Sequence, residues 1–317
     1  MSPKTEKDTD SLLEKRREEL RRRRVVQEQK RDAIYARKKA GGTFEEETFF
    51  ARVLRGVLWA AGLLQRGREN AAHPVLRELA VPIADLPVSF EGYKLLHISD
   101  LHFSTTLGLS DAAARLLASV PCDVCVITGD FLWGKTGPCE PVFRNAERLV
   151  RHIRAQDGIF AVLGNHDRSF FIEPLERCGI QVLLNNRVPI VRNGDRIWLA
   201  GIDDPAFFKT ADIAAALHGV PDEEVAILLA HSPDMAKEAA AYGVKLYLCG
   251  HTHAGQICFP YIGAFHYNCR APRAICRGLW CVGDMMGYTT AGLGTTELPV
   301  RYNCPPEAAV LTLQRTA

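Results

Sequence analysis

The chain has 317 residues, of which 47% are apolar and 24% are charged, and its formal net charge at neutral pH is +2. These values are typical of a globular protein with one large domain or two small ones, and they exclude fibrous and largely disordered chains. Residues 1–40 carry fourteen Lys or Arg against eight Asp or Glu, which leaves the remainder slightly acidic. The main part of the chain is therefore not marked as a nucleic-acid binder, although the basic arm could contact phosphates of nucleic acid or lipid headgroups.

The N-terminal segment at residues 10–40 is rich in charged helix formers and poor in large apolar residues. It predicts a solvated helix or a disordered arm. Because no apolar leader precedes it, we expect a cytoplasmic protein with reduced thiols. Cys122 and Cys125 are spaced like a zinc or redox pair, but they lie in a strand-like run and are predicted to be core thiols.

Residues 49–67, FFARVLRGVLWAAGLLQRG, predict an amphipathic helix with one broad apolar face. Only ten uncharged residues separate Arg55 from Arg66, whereas a membrane span needs about twenty. We expect the part at 49–64 either to lie in a membrane interface, with arginines toward anionic headgroups, or to pack on the rest of the chain.

Repeated prolines follow this helix, and from about residue 91 short apolar runs alternate with helical stretches. We predict three parts: a basic helical or disordered arm at 1–48, an amphipathic helix and linker at 49–90, and a main domain at 91–317. The pair Asn193-Gly194 between two β-rich runs predicts a hairpin. The predicted fold class is α/β with an antiparallel part.

The predicted strands of the main domain end in polar residues. These residues are Asp100, His102, Asp130, Asn165, His166, Asp167, His231, His251 and His253. In open α/β sheets, functional groups gather beyond the carboxyl ends of the strands, so we expect all of them to meet in one crevice. In extended backbone, residues i and i+2 share a face, which lets His251 and His253 converge on one small volume.

Two aspartates, one asparagine and four histidines of this set are candidate metal ligands. They are Asp100, His102, Asp130, Asn165, His231, His251 and His253. Mixed imidazole and oxygen donors suit manganese, zinc and iron, and the lack of cysteine in the set argues against a structural zinc site. Seven donors are too many for one catalytic ion with an open position. Two ions about 3.5–4 Å apart that share a carboxylate can use them all, so the sequence predicts a binuclear centre.

The motifs D-x-H, G-D, G-N-H-D, H and G-H-x-H, in this order over residues 93–313, resemble those of the calcineurin-like metallophosphoesterases. The resemblance implies a two-sheet β-sandwich core flanked by helices, here with an N-terminal helical extension. It implies one metal held by Asp100, His102, Asp130 and His253, and another held by Asp130, Asn165, His231 and His251. Asp130 is then the bridging ligand. Manganese is the expected metal, with zinc or iron as alternatives.

The same resemblance implies that His166 and Asp167 are catalytic. His166 is expected to donate a proton or a charged hydrogen bond to the leaving oxygen, and Asp167 to hold the His166 ring. A water or hydroxide activated between the metals would attack phosphorus in line. A helix cap is the alternative for Asp167, and His97 is predicted to be a core histidine.

Several stretches, among them HISDLHFS, VLGNHD, GIDD and GHTHAGQI, resemble the YkuE-like branch of this family. That branch resembles the hydrolases of UDP-2,3-diacylglucosamine in lipid A synthesis. The resemblance implies a lipid-linked phosphodiester or pyrophosphate substrate. Because the helix at 49–64 and the basic arm before it resemble a reversible membrane anchor, such a substrate leads us to expect a peripheral position on the inner membrane. Ala254 departs from the branch, which commonly has Gly there, and this puts the loop geometry in question. Arg301 and His266 either face substrate phosphate or have surface or structural roles.

Two other functions stay open at this point. A phosphodiesterase or nuclease acting on nucleotides or nucleic acid would use the same metals and hold its substrate with the basic arm. A non-enzymatic scaffold is disfavoured because every ligand position is present. The expected partner is a small-molecule or lipid-linked phosphate; nucleic acid is not favoured, and no protein partner is inferred.

Overall fold

A computed structural model describes residues 3–40, 48–102, 105–106, 108–134 and 139–316 of the chain. The α-helices in these residues are α1 (Pro3–Ala40), α2 (Phe49–Ala60), α3 (Leu64–Ala71), α4 (Leu109–Leu117), α5 (Glu140–Val150), α6 (Ile172–Arg177), α7 (Ile213–Leu217) and α8 (Ala236–Ala241). The strands are β1 (Val75–Ile83), β2 (Lys94–Ile98), β3 (Val124–Ile127), β4 (Ile159–Ala161), β5 (Gln181–Val182), β6 (Asn186–Arg192), β7 (Asp195–Gly201), β8 (Ala226–Leu229), β9 (Leu246–Cys249), β10 (Cys258–Phe259), β11 (Gly263–Ala264), β12 (Gly278–Val282), β13 (Met285–Thr289) and β14 (Glu307–Arg315).

The strands form two six-stranded sheets and one small hairpin. The first sheet has the order β1-β14-β2-β3-β4-β5, the second has the order β12-β13-β9-β8-β7-β6, and β10 pairs with β11. Strands β2 to β5 are parallel, as are β7, β8, β9 and β13. The antiparallel pairs within the two large sheets are β14 with β2, β6 with β7 and β12 with β13.

The two sheets pack face to face, and helices cover their outer faces. In β3, Val124 and Val126 belong to the apolar core between the sheets, whereas Cys125 and Ile127 belong to a second core beneath α4, α5 and α6. Successive side chains of a strand point to opposite faces, so one short apolar run serves two cores. Helices α7 and α8 cover the second sheet in the same way. The predicted α/β class with a two-sheet sandwich flanked by helices is confirmed.

Several local predictions are also confirmed. Strands β6 and β7 form the predicted hairpin, with Asn193 and Gly194 at its turn, both at positive φ. Cys122 and Cys125 are unpaired thiols, 8% and 0% exposed. His97 is fully buried with Nε2 2.9 Å from the Thr128 hydroxyl, and burial lowers its pKa to about 3.

The segment predicted as a linker contains a strand. Strand β1 pairs in parallel with β14 over nine residues, from Val75 with Glu307 to Ile83 with Arg315. Pro82 lies within this strand, which is at the edge of its sheet, where proline is tolerated. The predicted division at residues 48 and 90 stays a prediction.

Helix α1 packs on the main domain through charged side chains. Arg24, Glu28 and Arg31 are 0%, 7% and 5% exposed, whereas Leu12 and Ile34 are 65% and 54% exposed. This pattern inverts the usual amphipathic helix, in which apolar residues face the core. The segment is helical and most of its described side chains are exposed, as the solvated-helix alternative predicts. The apolar periodicity of the sequence could not reveal the buried charged contact.

Helix α2 packs one side on the main domain and exposes the other. Leu58 lies in a small apolar cluster with Leu298 and Val300, while Phe49 and Trp59 are 75% and 74% exposed. One side of α2 therefore packs on the rest of the chain, as one predicted alternative requires. The other side is exposed, which leaves it available for the predicted membrane contact. Among the described residues, no helix has the length and apolar character that crossing a membrane requires.

Candidate binuclear metal centre

The candidate ligands lie on loops that leave five strands at one end of the sandwich. Asp100 and His102 follow β2, Asp130 follows β3, and Asn165 follows β4 in the first sheet. His231 follows β8, and His251 and His253 follow β9 in the second sheet. Parallel strands bring these carboxyl ends to the same edge of each sheet, which is why residues distant in sequence converge.

One group of ligand atoms comes from Asp100, His102 and His253, whose donor atoms lie within 4.8 Å of one another. The Nε2 atoms of His102 and His253 are 3.2 Å apart, and Nε2 of His253 is 3.5 Å from Oδ1 of Asp100. All three side chains are buried. These residues belong to the first ligand set that the sequence predicts.

A second group comes from Asp130, His231 and His251, also within 4.8 Å of one another. Nε2 of His231 is 3.2 Å from Oδ2 of Asp130, 3.2 Å from Nδ1 of His251 and 3.0 Å from Oδ1 of Asn165. Oδ2 of Asp130 also lies 3.7 Å from Nε2 of the first group's His102. Asp130 therefore stands between the two groups, where a bridging carboxylate belongs.

Backbone carbonyl groups fix the orientation of three of these histidines. Nδ1 of His102 lies 3.0 Å from the carbonyl oxygen of Leu132, and Nδ1 of His231 lies 2.7 Å from that of Thr128. Nε2 of His251 lies 2.6 Å from the carbonyl oxygen of residue 268. In each case the carbonyl accepts from the ring N–H, and the other ring nitrogen points into the cluster. Metal-binding histidines are held in this way.

The electrostatics of the cluster fit two divalent cations. Burial lowers the pKa of His102 to about 3 and that of His251 to about 4, so both rings are neutral donors at neutral pH. Burial also disfavours charge on His231, but Asp130 outweighs it and raises the pKa of His231 to about 10. Against the cost of its own burial, Asp130 keeps a pKa well below the usual range because His231 and His166 attract the carboxylate. Buried donors this close together, with no cysteine among them, suit a mixed nitrogen and oxygen site.

The backbone of the site explains the glycines in the motifs. A Cβ atom at Gly250 would lie closer than 3.0 Å to Oδ2 of Asp100, and one at Gly164 would lie as close to Oδ1 of Asp130. Five of the seven candidate ligands adopt left-handed backbone with φ from 40° to 69°: Asp100, His102, Asp130, His251 and His253. Non-glycine residues hold this conformation at a cost, and such strain clusters at functional sites.

Comparisons with known proteins identify the family. The profile described as calcineurin-like phosphoesterase matches residues 93–255. An uncharacterized metallophosphoesterase of Bacillus subtilis (strain 168), YkuE, is 30% identical over 278 residues, which are 84% of this chain and 95% of YkuE. A Danio rerio protein named transmembrane protein with metallophosphoesterase domain is 32% identical over 87% of this chain and 64% of its own length. Phosphodiesterase YaeI of Escherichia coli (strain K12) is 29% identical over 70% of this chain and 82% of its own length.

The chain belongs to the calcineurin-like metallophosphoesterases. It is therefore a metal-dependent phosphoric ester hydrolase, and the two groups of buried ligands around Asp130 are where its divalent metals would bind. The predicted family and enzyme class are confirmed. The assignment of individual ligands and the identity of the metal stay predictions.

His166 lies beside the candidate metal ligands of this metallophosphoesterase, and its role as a proton donor stays a prediction. Its ring is 5.5 Å from the His102 ring and 4.5 Å from the Trp133 ring, between ring centres. Its backbone N–H donates to Oδ1 of Asp130 at 2.9 Å, and Nδ1 lies 3.2 Å from the carbonyl oxygen of Gly134. The ring is partly exposed and lines the cavity beside the metal ligands.

Asp167 has contacts that differ from the predicted ones. Oδ2 accepts from the backbone N–H groups of Asp130 and Gly164 at 2.8 and 2.9 Å, and Oδ1 accepts from that of Phe131 at 2.9 Å. The predicted role, holding the ring of His166, is therefore not the one these contacts give. The carboxylate joins the loops after β3 and β4, and the two predicted roles of Asp167 stay predictions.

A cavity of about 540 Å³ opens beside the metal ligands and includes residues that the sequence did not single out. Trp133 lies on the cavity wall, three positions after Asp130. Its closeness in sequence to that candidate ligand was the available signal that it lies near the site. Glu297 also lines it and accepts a 2.7 Å hydrogen bond from the Thr48 hydroxyl at the start of α2. Of the two residues with open roles, His266 lines the cavity. Arg301 is fully buried and donates to backbone carbonyl groups, which is the structural role.

Proposed function

We propose that this metallophosphoesterase hydrolyses a phosphodiester or pyrophosphate bond of a lipid-linked substrate, such as UDP-2,3-diacylglucosamine in lipid A synthesis, at the surface of the inner membrane. The observation that carries the proposal is the two-sided lining of the cavity. Metal ligands and His166 form its polar side, and apolar residues form another part: Phe50, Ala51, Leu54, Ile257 and Leu298. A molecule with a phosphate at one end and an acyl chain at the other complements both sides.

Exposed apolar side chains near the cavity support contact with a lipid surface. On α2, Phe49, Phe50 and Trp59 are at least 72% exposed, and near the β10–β11 hairpin Tyr261, Ile262 and Phe265 are at least 76% exposed. Phe50 of α2 lines the cavity, as do Ile257 and His266, which flank the hairpin, so both segments lie close to the cavity. Exposed apolar groups of this kind mark interaction sites, and aromatic rings suit the headgroup region of a membrane.

The chemistry divides between the cations and the chain. Two divalent cations, manganese first and zinc or iron as alternatives, would supply the positive charge that phosphoryl transfer needs and would acidify water. Asp100, His102, Asp130 and His253 would hold one cation, and Asp130, Asn165, His231 and His251 the other. His166, with Nδ1 facing the Gly134 carbonyl, can donate the proton on Nε2 to the leaving oxygen when the ring is charged.

The test of the substrate class is a hydrolysis panel on metal-free enzyme restored with each ion. UDP-2,3-diacylglucosamine, bis-p-nitrophenyl phosphate, cyclic nucleotides and RNA are compared, with Asp130→Ala as the inactive variant and the exposed His152→Ala as its control. We expect the diacyl substrate to have the highest kcat/KM and Leu54→Ala to lower it about tenfold, while bis-p-nitrophenyl phosphate is unaffected. Equal rates for lipid-linked and lipid-free esters would refute the lipid substrate and leave the enzyme class intact.

The membrane contact has its own test. Vesicles of anionic and of neutral phospholipid are sedimented with the full chain and with Phe49→Ser/Trp59→Ser, and Val88→Ser serves as a control because Val88 is 67% exposed elsewhere. We expect the double variant to lose most vesicle binding and the control to keep it. Equal binding of all three proteins would refute a role for α2 in the membrane contact.

Nucleotides or nucleic acid are the alternative substrates. The observation that favours them is Trp133, an aromatic ring on the cavity wall on which a base could stack. A panel in which cyclic nucleotides or RNA exceed the diacyl substrate, together with loss of that preference in Trp133→Leu, would select this alternative.

A further inference from the structure

Helix α1 contacts the loop 164–167, which carries the candidate ligand Asn165. Nη2 of Arg24 donates to the carbonyl oxygens of the first and last residues of this loop, at 3.0 and 3.1 Å. Nη1 of Arg31 donates to the carbonyl oxygen of Asn165 at 2.8 Å. Three of the four carbonyl groups of the loop therefore accept hydrogen bonds from a single distant helix.

The guanidinium of Arg24 sits in a site that fits it closely. Arg24 is fully buried, its Nε lies 2.9 Å from Oε1 of Glu28, and its Nη1 pairs with Asp203. The ring of Phe208 lies 4.3 Å from the guanidinium carbon. Burying an unpaired charge is costly, but two carboxylates and an aromatic face compensate for it here. The planar guanidinium can meet these partners and the loop carbonyls at once.

Glu28 extends the same contact beyond the loop. Its Oε1 accepts from the backbone N–H and the hydroxyl of Ser169, both at 2.9 Å, as well as from Arg24. One turn further along α1, Asp32 pairs with Arg168. Three consecutive residues, Asp167, Arg168 and Ser169, are therefore bonded to side chains of α1.

The loop needs such partners because it lies beyond the sheet. Strand β4 ends at Ala161, so the ladder hydrogen bonds of the sheet stop before residue 164. Buried carbonyl groups must still find donors. On the inner side, Asp167 and Asp130 accept from backbone N–H groups within the loop. On the outer side, α1 supplies the donors.

We propose that α1 is a brace for the loop 164–167 and that Arg24 is a positioning residue of the metal centre. Arg24 does not contact the ligand atoms; it sets the backbone from which Asn165 and His166 project. Supporting groups of this kind change metal affinity or activity about 10–100-fold when removed. The brace concerns the metal centre itself and holds for any phosphate substrate.

The test compares charge removal at a buried and an exposed position of α1. Arg24→Met removes the brace, Arg24→Lys keeps the charge, and Arg22→Met is the matched control because Arg22 is 78% exposed in its side chain and pairs with Glu18 on its own helix. Manganese binding to metal-free protein is measured by calorimetry, together with kcat and KM for bis-p-nitrophenyl phosphate, below the unfolding temperature of each variant.

We expect Arg24→Met to weaken binding of one of two manganese ions at least tenfold, because Asn165 serves one ion only, and to lower kcat more than it raises KM. Arg24→Lys should recover part of both losses, and Arg22→Met should match the unmodified protein. If Arg24→Met does not fold, Arg31→Met decides, because it removes one hydrogen bond to the Asn165 carbonyl. Variants that unfold at lower temperature but bind both ions and turn over normally would show that α1 only stabilises the fold.

Discussion

Replacing Asp167 tests whether its carboxylate joins two loops or orients His166. Asp167→Ala leaves three backbone N–H groups without the acceptors that now lie 2.8–2.9 Å away. Each buried donor left without a partner costs about 1–3 kcal/mol, so the loss is about 3–9 kcal/mol. A typical domain has a net stability of roughly 5–15 kcal/mol, so this single change should remove a large part of it.

Asp167→Asn is the more selective variant. The amide group takes the place of one carboxylate oxygen and faces donors there, so the hydrogen bonds of that oxygen are lost and those of the other remain. We expect about half the destabilisation of Asp167→Ala. At roughly 2–4 °C per kcal/mol, both losses are easily measured by thermal unfolding of metal-free protein. The exposed Asp222→Ala is the control for a lost surface charge.

The two roles give opposite patterns. If Asp167 joins the loops, the unfolding temperature falls in the order Asn then Ala, and the pH profile of kcat keeps its shape in the variant that remains folded. An Asp167→Asn protein with unchanged unfolding temperature and a shifted pH profile would refute this reasoning, because only a carboxylate acting on the His166 ring produces that result.

Three further predictions concern the same centre. The pKa of His231 is raised to about 10, so metal binding must displace its proton, and manganese affinity should rise about tenfold per pH unit from pH 7 to 9. Below pH 7 the dependence of affinity on pH should become steeper. Burial raises the pKa of Asp100 to about 7, so a second proton must then leave on metal binding. Calorimetry across pH checks both slopes, and a flat profile would contradict them. Gly250→Ala should abolish metal binding, since its Cβ would collide with Asp100 and Ser99, as elemental analysis of the purified variant can show. Ala254→Gly should change the unfolding temperature little, because relief of left-handed backbone at φ 47° offsets the loss of a buried methyl group.

The structure brings residues that the sequence singled out into two candidate metal-binding groups, because each of them is marked by a local pattern. Each ligand follows a short apolar strand, and glycines such as Gly250 mark where the backbone must approach a ligand closely. The motif order then placed Asp130 between the two groups, and the geometry agrees. Ala254 shows the limit of this reasoning: its left-handed backbone is tolerated by a residue other than glycine.

The parts that the sequence missed depend on long-range contacts. Arg22 and Arg24 are the same residue type two positions apart in one charged run. Arg22 is nevertheless exposed, whereas Arg24 is fully buried against the loop after β4. Asp167 was assigned to its neighbour His166, although its acceptors point to the backbone of another loop. Propensity and periodicity describe a residue's own element, and neither can identify a partner 140 positions away.

The pairing of β1 with β14 has a practical consequence for fragments of this enzyme. A fragment that begins near residue 93, where the family profile starts, lacks the strand that covers β14. The nine residues of β14 would then have unpaired backbone N–H and C=O groups along one edge, and such an edge favours association between copies. Clones intended for crystallisation or assay should therefore begin upstream of Val75, and aggregation of shorter ones would reflect a missing neighbour strand.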